Sequence, residues 1–183
     1  MKPKVACSIA LALFMAAFSG RALAQDVVLT SIGQSPDATM VKVVLKKMNV
    51  AVQEEKLLTA EKLGSPKVLI AVVGGSSKGL GAAGVDKNDE IKRAEKLLGA
   101  ARQKKVKVLV MHVGGSNRRG ALSDSFIIAA VPFADQIIVV KGGNDDKVLE
   151  KHLRDKSIAI LEAASIRGTQ APLEKVLATW GAK

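Results

Sequence analysis

From residue 26 onward the chain alternates between two hydrophobic rhythms. Short, nearly continuous apolar runs rich in Val and Ile fall at residues 26–32, 67–73, 106–113 and 136–141. Between them lie longer stretches whose apolar residues recur every three or four positions. Residues 35–48 carry Met40, Val41, Val44, Leu45 and Met48; residues 89–104 carry Ile91, Ala94, Leu97, Leu98 and Ala101. The first rhythm fits strands buried on both faces, the second helices that cover them. More polar strands are expected at 50–58, at an edge, and at 158–161, and further helices at 123–133, 145–154 and 172–180. Ser35 is placed to cap the first helix, with Pro36 at its first position and Asp37 in its first turn; Ser123 is placed to cap a later one. This alternation predicts an α/β fold: a three-layer, Rossmann-like or flavodoxin-like domain with a mostly parallel sheet of five to six strands in the order 2-1-3-4-5. Gly64-Ser65-Pro66 reads as a turn rather than a linker, so residues 25–183 form one domain.

The first 24 residues follow a different rule. Lys2 and Lys4 precede an apolar run at 5–18, and Ala22 and Ala24 stand at the −3 and −1 positions of a cut after Ala24. That is the layout of a cleaved secretory signal peptide, and the run is too short for a membrane span. The expected location is the periplasm or the medium. Cys7, the sole cysteine, would leave with it. The mature chain then has no thiol for a disulfide, a nucleophile or a zinc site, and no metal or other cofactor is implied. The full chain has 28 basic and 17 acidic residues; without Lys2, Lys4 and Arg21 the balance is 25 against 17, a net +8. Such a surface suits small anions, anionic lipid or an envelope protein. Nucleic acid is not expected, because the chain has no Tyr and few other aromatics for base stacking.

An internal echo locates a site. Residues 67–78, KVLIAVVGGSSK, match residues 107–118, KVLVMHVGGSNR, and 136–144, QIIVVKGGN, is a shorter third copy. Each strand leaves the same edge of the sheet through Gly-Gly and a hydroxyl or amide residue. Ligands of open α/β sheets sit beyond those carboxyl ends, where the strand order reverses. The expected walls are Gly33, Gln34 and Ser35 after the first strand; Gly74, Gly75, Ser76, Ser77 and Lys78 after the third; and Gly114, Gly115, Ser116, Arg118 and Arg119 after the fourth. Bare backbone N–H groups would form an anion nest there. Lys78, Arg118, Arg119 and Lys141 would supply charge. Whether Asp37, Asp86 and Asp124 approach one another to hold a hard cation is open at this point.

Three motif readings compete for residues 67–84. Gly75-Ser76-Ser77-Lys78-Gly79-Leu80-Gly81 resembles the glycine fingerprint of short-chain dehydrogenases. That family's catalytic Tyr has no counterpart in a chain without tyrosine, and Asp86 to Asp89 is expected to delay the helix that should start at the glycines. Gly75-Ser76-Ser77-Lys78-Gly79 also satisfies the hydrolase elbow G-x-S-x-G, with Ser77 as nucleophile and His112 as base. That motif needs a helix directly after the serine, where a glycine-rich loop is expected instead. No Gly-Lys-[Ser/Thr] of a P-loop occurs.

The third is a likeness to a family. LTSIGQSPDATMVK, VVGGSSKGLGAAGVD and HVGGSNRRGALSDSF together resemble an uncharacterised bacterial family of exported single-domain proteins, a domain of unknown function. The resemblance implies export and a Rossmann-like fold and assigns no activity. The leading functional expectation is a periplasmic protein that binds a small anionic molecule, either as a homodimer or in relay with a membrane transporter or envelope protein. The alternatives are a small serine hydrolase using Ser77 and His112, and a non-catalytic envelope adaptor.

Overall fold

A computed structural model of the chain describes residues 25–153 and 157–182. The expected signal peptide at 1–24 lies outside the described residues. Six strands form one sheet: β1 (Val27–Ile32), β2 (Val52–Glu54), β3 (Val68–Val73), β4 (Lys107–His112), β5 (Gln136–Val140) and β6 (Ile160–Ala163). Their spatial order is β2-β1-β3-β4-β5-β6, and every pairing is parallel. The expected order is therefore present and continues by one strand. The chain reverses direction across the sheet between β1 and β3, which pair in register from Val27–Val68 to Ile32–Val73.

Alternate residues of the strands feed two cores. Leu69, Val108, Val110 and Ile137 point to one face, where α3 (Lys87–Gln103), α4 (Ala121–Ala130) and α5 (Val148–His152) cover them. Leu29, Ile70, Leu109 and Ile138 point to the other, under α1 (Asp37–Lys47) and α6 (Gln170–Thr179). All six positions of β1 and of β3 are buried, as the unbroken apolar run of β3 requires, and β1 carries Thr30 and Ser31 into the interior.

Several expected boundaries move. The 50–58 strand shortens to three residues, because the chain leaves the ladder at Glu55 and turns at Lys56 and Leu57. The 123–133 helix starts at Ala121, so Ser123 lies inside its first turn rather than capping it. In the first helix Pro36 takes the cap position, while the Ser35 hydroxyl still accepts from the Asp37 N–H at 3.3 Å. Met40, one of the apolar positions at helical spacing, is 47 % exposed on the outer side of α1.

The largest revision concerns residues 77–83. They form a helix, α2, and not a loop. Ser76 caps it by accepting from the Gly79 N–H at 3.0 Å, and Gly84 ends it in the left-handed region at φ 67°. Gly79 cannot be replaced by a larger residue without movement, because a Cβ there would lie 2.0 Å from the Gln34 carbonyl oxygen. Helical propensity is poor here, so capping at both ends and buried Leu80 hold the turn. The delayed helix expected from Asp86 to Asp89 is α3, a second helix beginning after α2.

Candidate functional site

The β1, β3 and β4 ends bring the three glycine segments together. Gln34 and Gly75 form an isolated bridge, the Gly74 N–H donates to the Ile32 carbonyl, and the Ser76 N–H donates to the Gly33 carbonyl, each of the last two at 2.9 Å. The Gly75 N–H donates to the Ser123 hydroxyl at 2.9 Å, which ties α4 to the end of β3. The expected nest therefore has its Gly74, Gly75 and Ser76 amides turned inward on the protein's own acceptors. These loops act first as mutual braces.

Beneath them lies a polar network that the sequence reading did not single out. Glu90, near the start of α3, is fully buried. Its Oε1 accepts from the Gly33 N–H and the Gln34 side-chain amide, both at 2.9 Å, and from Arg93 at 2.8 Å; its Oε2 accepts from Arg93 Nε at 2.7 Å. Arg93 also donates to the Leu58 and Ser31 carbonyls, each at 2.6 Å. Gln34 further donates to the Lys56 carbonyl at 3.2 Å. Its amide is thus engaged in holding the loop after β1, which enters the left-handed region at Gln34 itself, φ 57°. A signal for this network was present: Glu90 lies on the same helical stripe as Ala94, Leu97 and Ala101, so a carboxylate falls on the buried face.

The two arginines that were grouped together part company. Arg119 donates to Asp124 at 2.8 Å, to the Gly143 carbonyl at 2.8 Å and, with two nitrogens, to Asp146 at 2.9 Å. These bonds raise its pKa further and lower that of Asp146 to about 2. Arg119 is a clamp between the loops after β4 and β5. Among the described residues Arg118 makes no side-chain hydrogen bond; its side chain is 39 % exposed and lies over Gly114, where a Cβ would collide with its Cγ. Its Nε is 3.8 Å from Asp37 Oδ1.

Asp37 is the most unusual group of the site. It opens α1, is only 4 % exposed, and its Oδ2 is buried without a hydrogen-bond partner. That oxygen sits between Gly74 and Gly114; a Cβ at either would approach it to 3.1 or 3.2 Å. The two glycines leave the room that a carboxylate needs at three adjacent strand ends. An unpaired buried carboxylate oxygen is costly, and the first turn of α1 offsets only part of that cost.

The remaining candidates fall on either side of this centre. Ser35 is buried beside Gly74. Ser77, Lys78, Ser116 and Lys141 are exposed. Gly115 turns the chain at φ 58° against the Lys141 carbonyl. His112 is buried at the end of β4; its Nδ1 is 2.9 Å from the Val73 carbonyl, and its Nε2 has no partner. The helix that the hydrolase elbow requires is present, since Ser77 is the first residue of α2, but no hydrogen bond joins exposed Ser77 to buried His112. Asp37, Asp86 and Asp124 do not converge. Asp86 caps α3 through the Asp89 N–H at 2.8 Å, Asp124 holds Arg119, and no three metal-ligating side chains cluster among the described residues.

Comparison with known proteins adds a family and little chemistry. No curated protein matches the sequence. Among solved structures, AlinE4, an SGNH-hydrolase family esterase, aligns over 86 % of this chain and 95 % of its own at 13 % identity and a TM-score of 0.34. A variant of that esterase aligns over the same shares at 12 % identity and a TM-score of 0.33. A likeness that loose transfers no catalytic residue. The family comparison is specific: residues 24–177 match one family model, and the chain belongs to that family, the domain of unknown function DUF6305.

Proposed function

We propose that this protein binds a small anionic molecule at the carboxyl edge of its sheet, with Arg118 as the gripping residue and Asp37 as its buried counter-charge. The observation that carries this reading is the pair itself. A guanidinium with no hydrogen-bonded partner among the described residues stands 3.8 Å from a carboxylate that is almost wholly buried. The neighbouring Arg119 shows what a purely structural arginine looks like in this fold, with bidentate pairing and a carbonyl contact. Arg118 keeps its forked donors available for a carboxylate or phosphate. Asp37 sets its direction without consuming it. Lys78 and Lys141, both exposed, add positive potential at the rim. The place is the carboxyl edge where strand order reverses, between β1 and β3, with β4 alongside.

The proposed setting is the periplasm or the medium, after cleavage at Ala24, with the ligand passed to a membrane transporter or envelope protein. Support comes from the sequence pattern of residues 1–24 and from a family match that begins at residue 24. The hydrolase alternative through Ser77 and His112 gains no hydrogen bond from the geometry and takes second place.

A thermal-shift screen against small carboxylates and phosphates tests the reading. A ligand at about 100 times its dissociation constant adds about 2.7 kcal/mol of stability, a shift of several degrees. Arg118→Ala is expected to abolish the shift and leave the unliganded melting temperature nearly unchanged. A parent protein that responds to no anion, or an Arg118→Ala variant that responds as the parent does, refutes the assignment.

A further inference from the structure

The charge of this chain is not spread evenly. The parallel sheet places every strand start at one edge, and with them the ends of the covering helices. Lys46 and Lys47 close α1, Lys67 precedes β3, Lys104 and Lys105 follow α3, and Lys107 opens β4. All six are exposed. Lys67 pairs with Asp26 at 2.8 Å and Lys107 with Asp135 at 3.7 Å, and Glu174 of α6 lines the hollow beside Met48 and Asn49. Six exposed lysines thus gather at the amino edge, two of them paired with an aspartate. The opposite edge mixes signs, with Asp37, Asp124 and Asp146 standing beside Arg118 and Arg119.

Part of this cluster has a local purpose. Lysines near helix ends offset the negative pole of the macrodipole. Lys67 Nζ donates to the Gly181 carbonyl at 2.9 Å, and Lys104 Nζ to the Gly64 carbonyl at 3.1 Å. These two bonds also show that segments distant in sequence meet at this edge. Lys46, Lys47 and Lys105 have neither an ion pair nor a side-chain hydrogen bond among the described residues, so no acidic side chain neutralises them.

We propose that the basic amino edge docks on an anionic lipid surface, leaving the carboxyl edge facing away from it. A row of exposed lysines from separate segments matches a sheet of headgroup charge. No helix among the described residues is long and apolar enough to cross a membrane; the attachment proposed is the electrostatic one that exposed lysines make with anionic headgroups. A nucleic-acid partner fits less well. There is no Tyr; Phe133 lies under Arg102 at 5.1 Å, and Trp180, next to Gly181, packs against the core under α1 and α6.

Vesicle co-sedimentation tests the proposal, comparing phosphatidylcholine alone with phosphatidylcholine carrying about 30 % phosphatidylglycerol. The protein is expected to bind only the anionic vesicles and to be released between about 0.05 and about 0.5 M salt as charges are screened. The triple variant Lys104→Gln, Lys105→Gln, Lys107→Gln should lower partitioning by about 100-fold, at about five-fold per lysine. An equal loss of charge on the outer face of α3, Lys87→Gln, Lys92→Gln, Lys96→Gln, should change it far less. Equal losses from both triples would mean that net charge alone acts, and would overturn the docking edge. So would salt-insensitive binding to the uncharged vesicles, which would point to the apolar N-terminal segment. Binding to a single-stranded oligonucleotide with none to anionic vesicles would replace the lipid with nucleic acid. None of these outcomes depends on Arg118, so this test and the ligand screen fail independently.

Discussion

Replacing Glu90 by Gln removes one charge and almost no volume. The parent carboxylate accepts four hydrogen bonds and faces an arginine whose side chain is only 12 % exposed. In the variant one accepting oxygen becomes an NH2 donor, which faces the N–H donors that the oxygen accepted from. Arg93 keeps the Leu58 and Ser31 carbonyls but loses its counter-charge. Breaking a buried pair from one side costs about 3–5 kcal/mol. Orphaning a neutral donor such as the Gly33 N–H costs about 1–3 kcal/mol, and relaxation makes the two effects overlap. We expect a total loss of about 3–5 kcal/mol. With a urea slope of about 2 kcal/mol per molar, the denaturation midpoint falls by about 1.5–2.5 M. Removing both partners, in Glu90→Leu with Arg93→Met, should cost at least about 1 kcal/mol less than the sum of the two single changes, because neither leaves an unpaired charge behind. A midpoint shift under about 0.5 M for Glu90→Gln, or strict additivity in the cycle, refutes the view that this network braces the loop after β1.

Other expectations follow from single positions. Gly81→Ala should stabilise by about 0.5–1 kcal/mol, because a Cβ there meets nothing within 4 Å inside a helix, and chemical denaturation reads it. Gly79→Ala should instead destabilise, since its Cβ would strike the Gln34 carbonyl; equal effects at the two glycines would refute the close-approach argument. Asp37→Asn should leave stability within about 1 kcal/mol of the parent while weakening anion-induced thermal shifts, the mark of a charge kept for binding. The Arg119 bonds hold the Asp146 pKa at about 2, below its usual 3.8. A lowered carboxylate pKa stabilises the fold above the unfolded value, and that contribution fades as pH falls from about 4 through about 2. Asp146 is well exposed, which limits the effect to under about 1 kcal/mol. Asp146→Asn should flatten this part of the stability–pH curve, and an unchanged curve would argue against the clamp.

Much of the architecture was legible because it depends on local periodicity. Runs such as residues 67–73 leave few options besides a strand covered on both faces, and the 91-94-97-98-101 spacing leaves few besides an amphipathic helix. The glycine echoes marked the carboxyl edge correctly, since each Gly-Gly follows a parallel strand of one sheet. Residues 77–83 were misread because intrinsic propensity opposes a helix with two glycines. The Ser76 cap, the Gly84 terminator and the close approach to Gln34 outweigh that propensity, and the last of these is a contact across 45 positions.

The site itself required the third dimension. Arg118 and Arg119 are adjacent and chemically identical in sequence. One lies over Gly114 beside Asp37; the other is locked by Asp124, Asp146 and the Gly143 carbonyl. Asp37 reads locally as an ordinary first-turn acid, and only the convergence of the β1, β3 and β4 ends buries it with a bare oxygen. Composition and periodicity determined the strands, the covering helices and the glycine turns at one edge of the sheet, because these follow from local patterns along the chain. Which of the polar groups at that edge are engaged and which stand free was decided by contacts between distant segments, whose desolvation and pairing no linear pattern encodes.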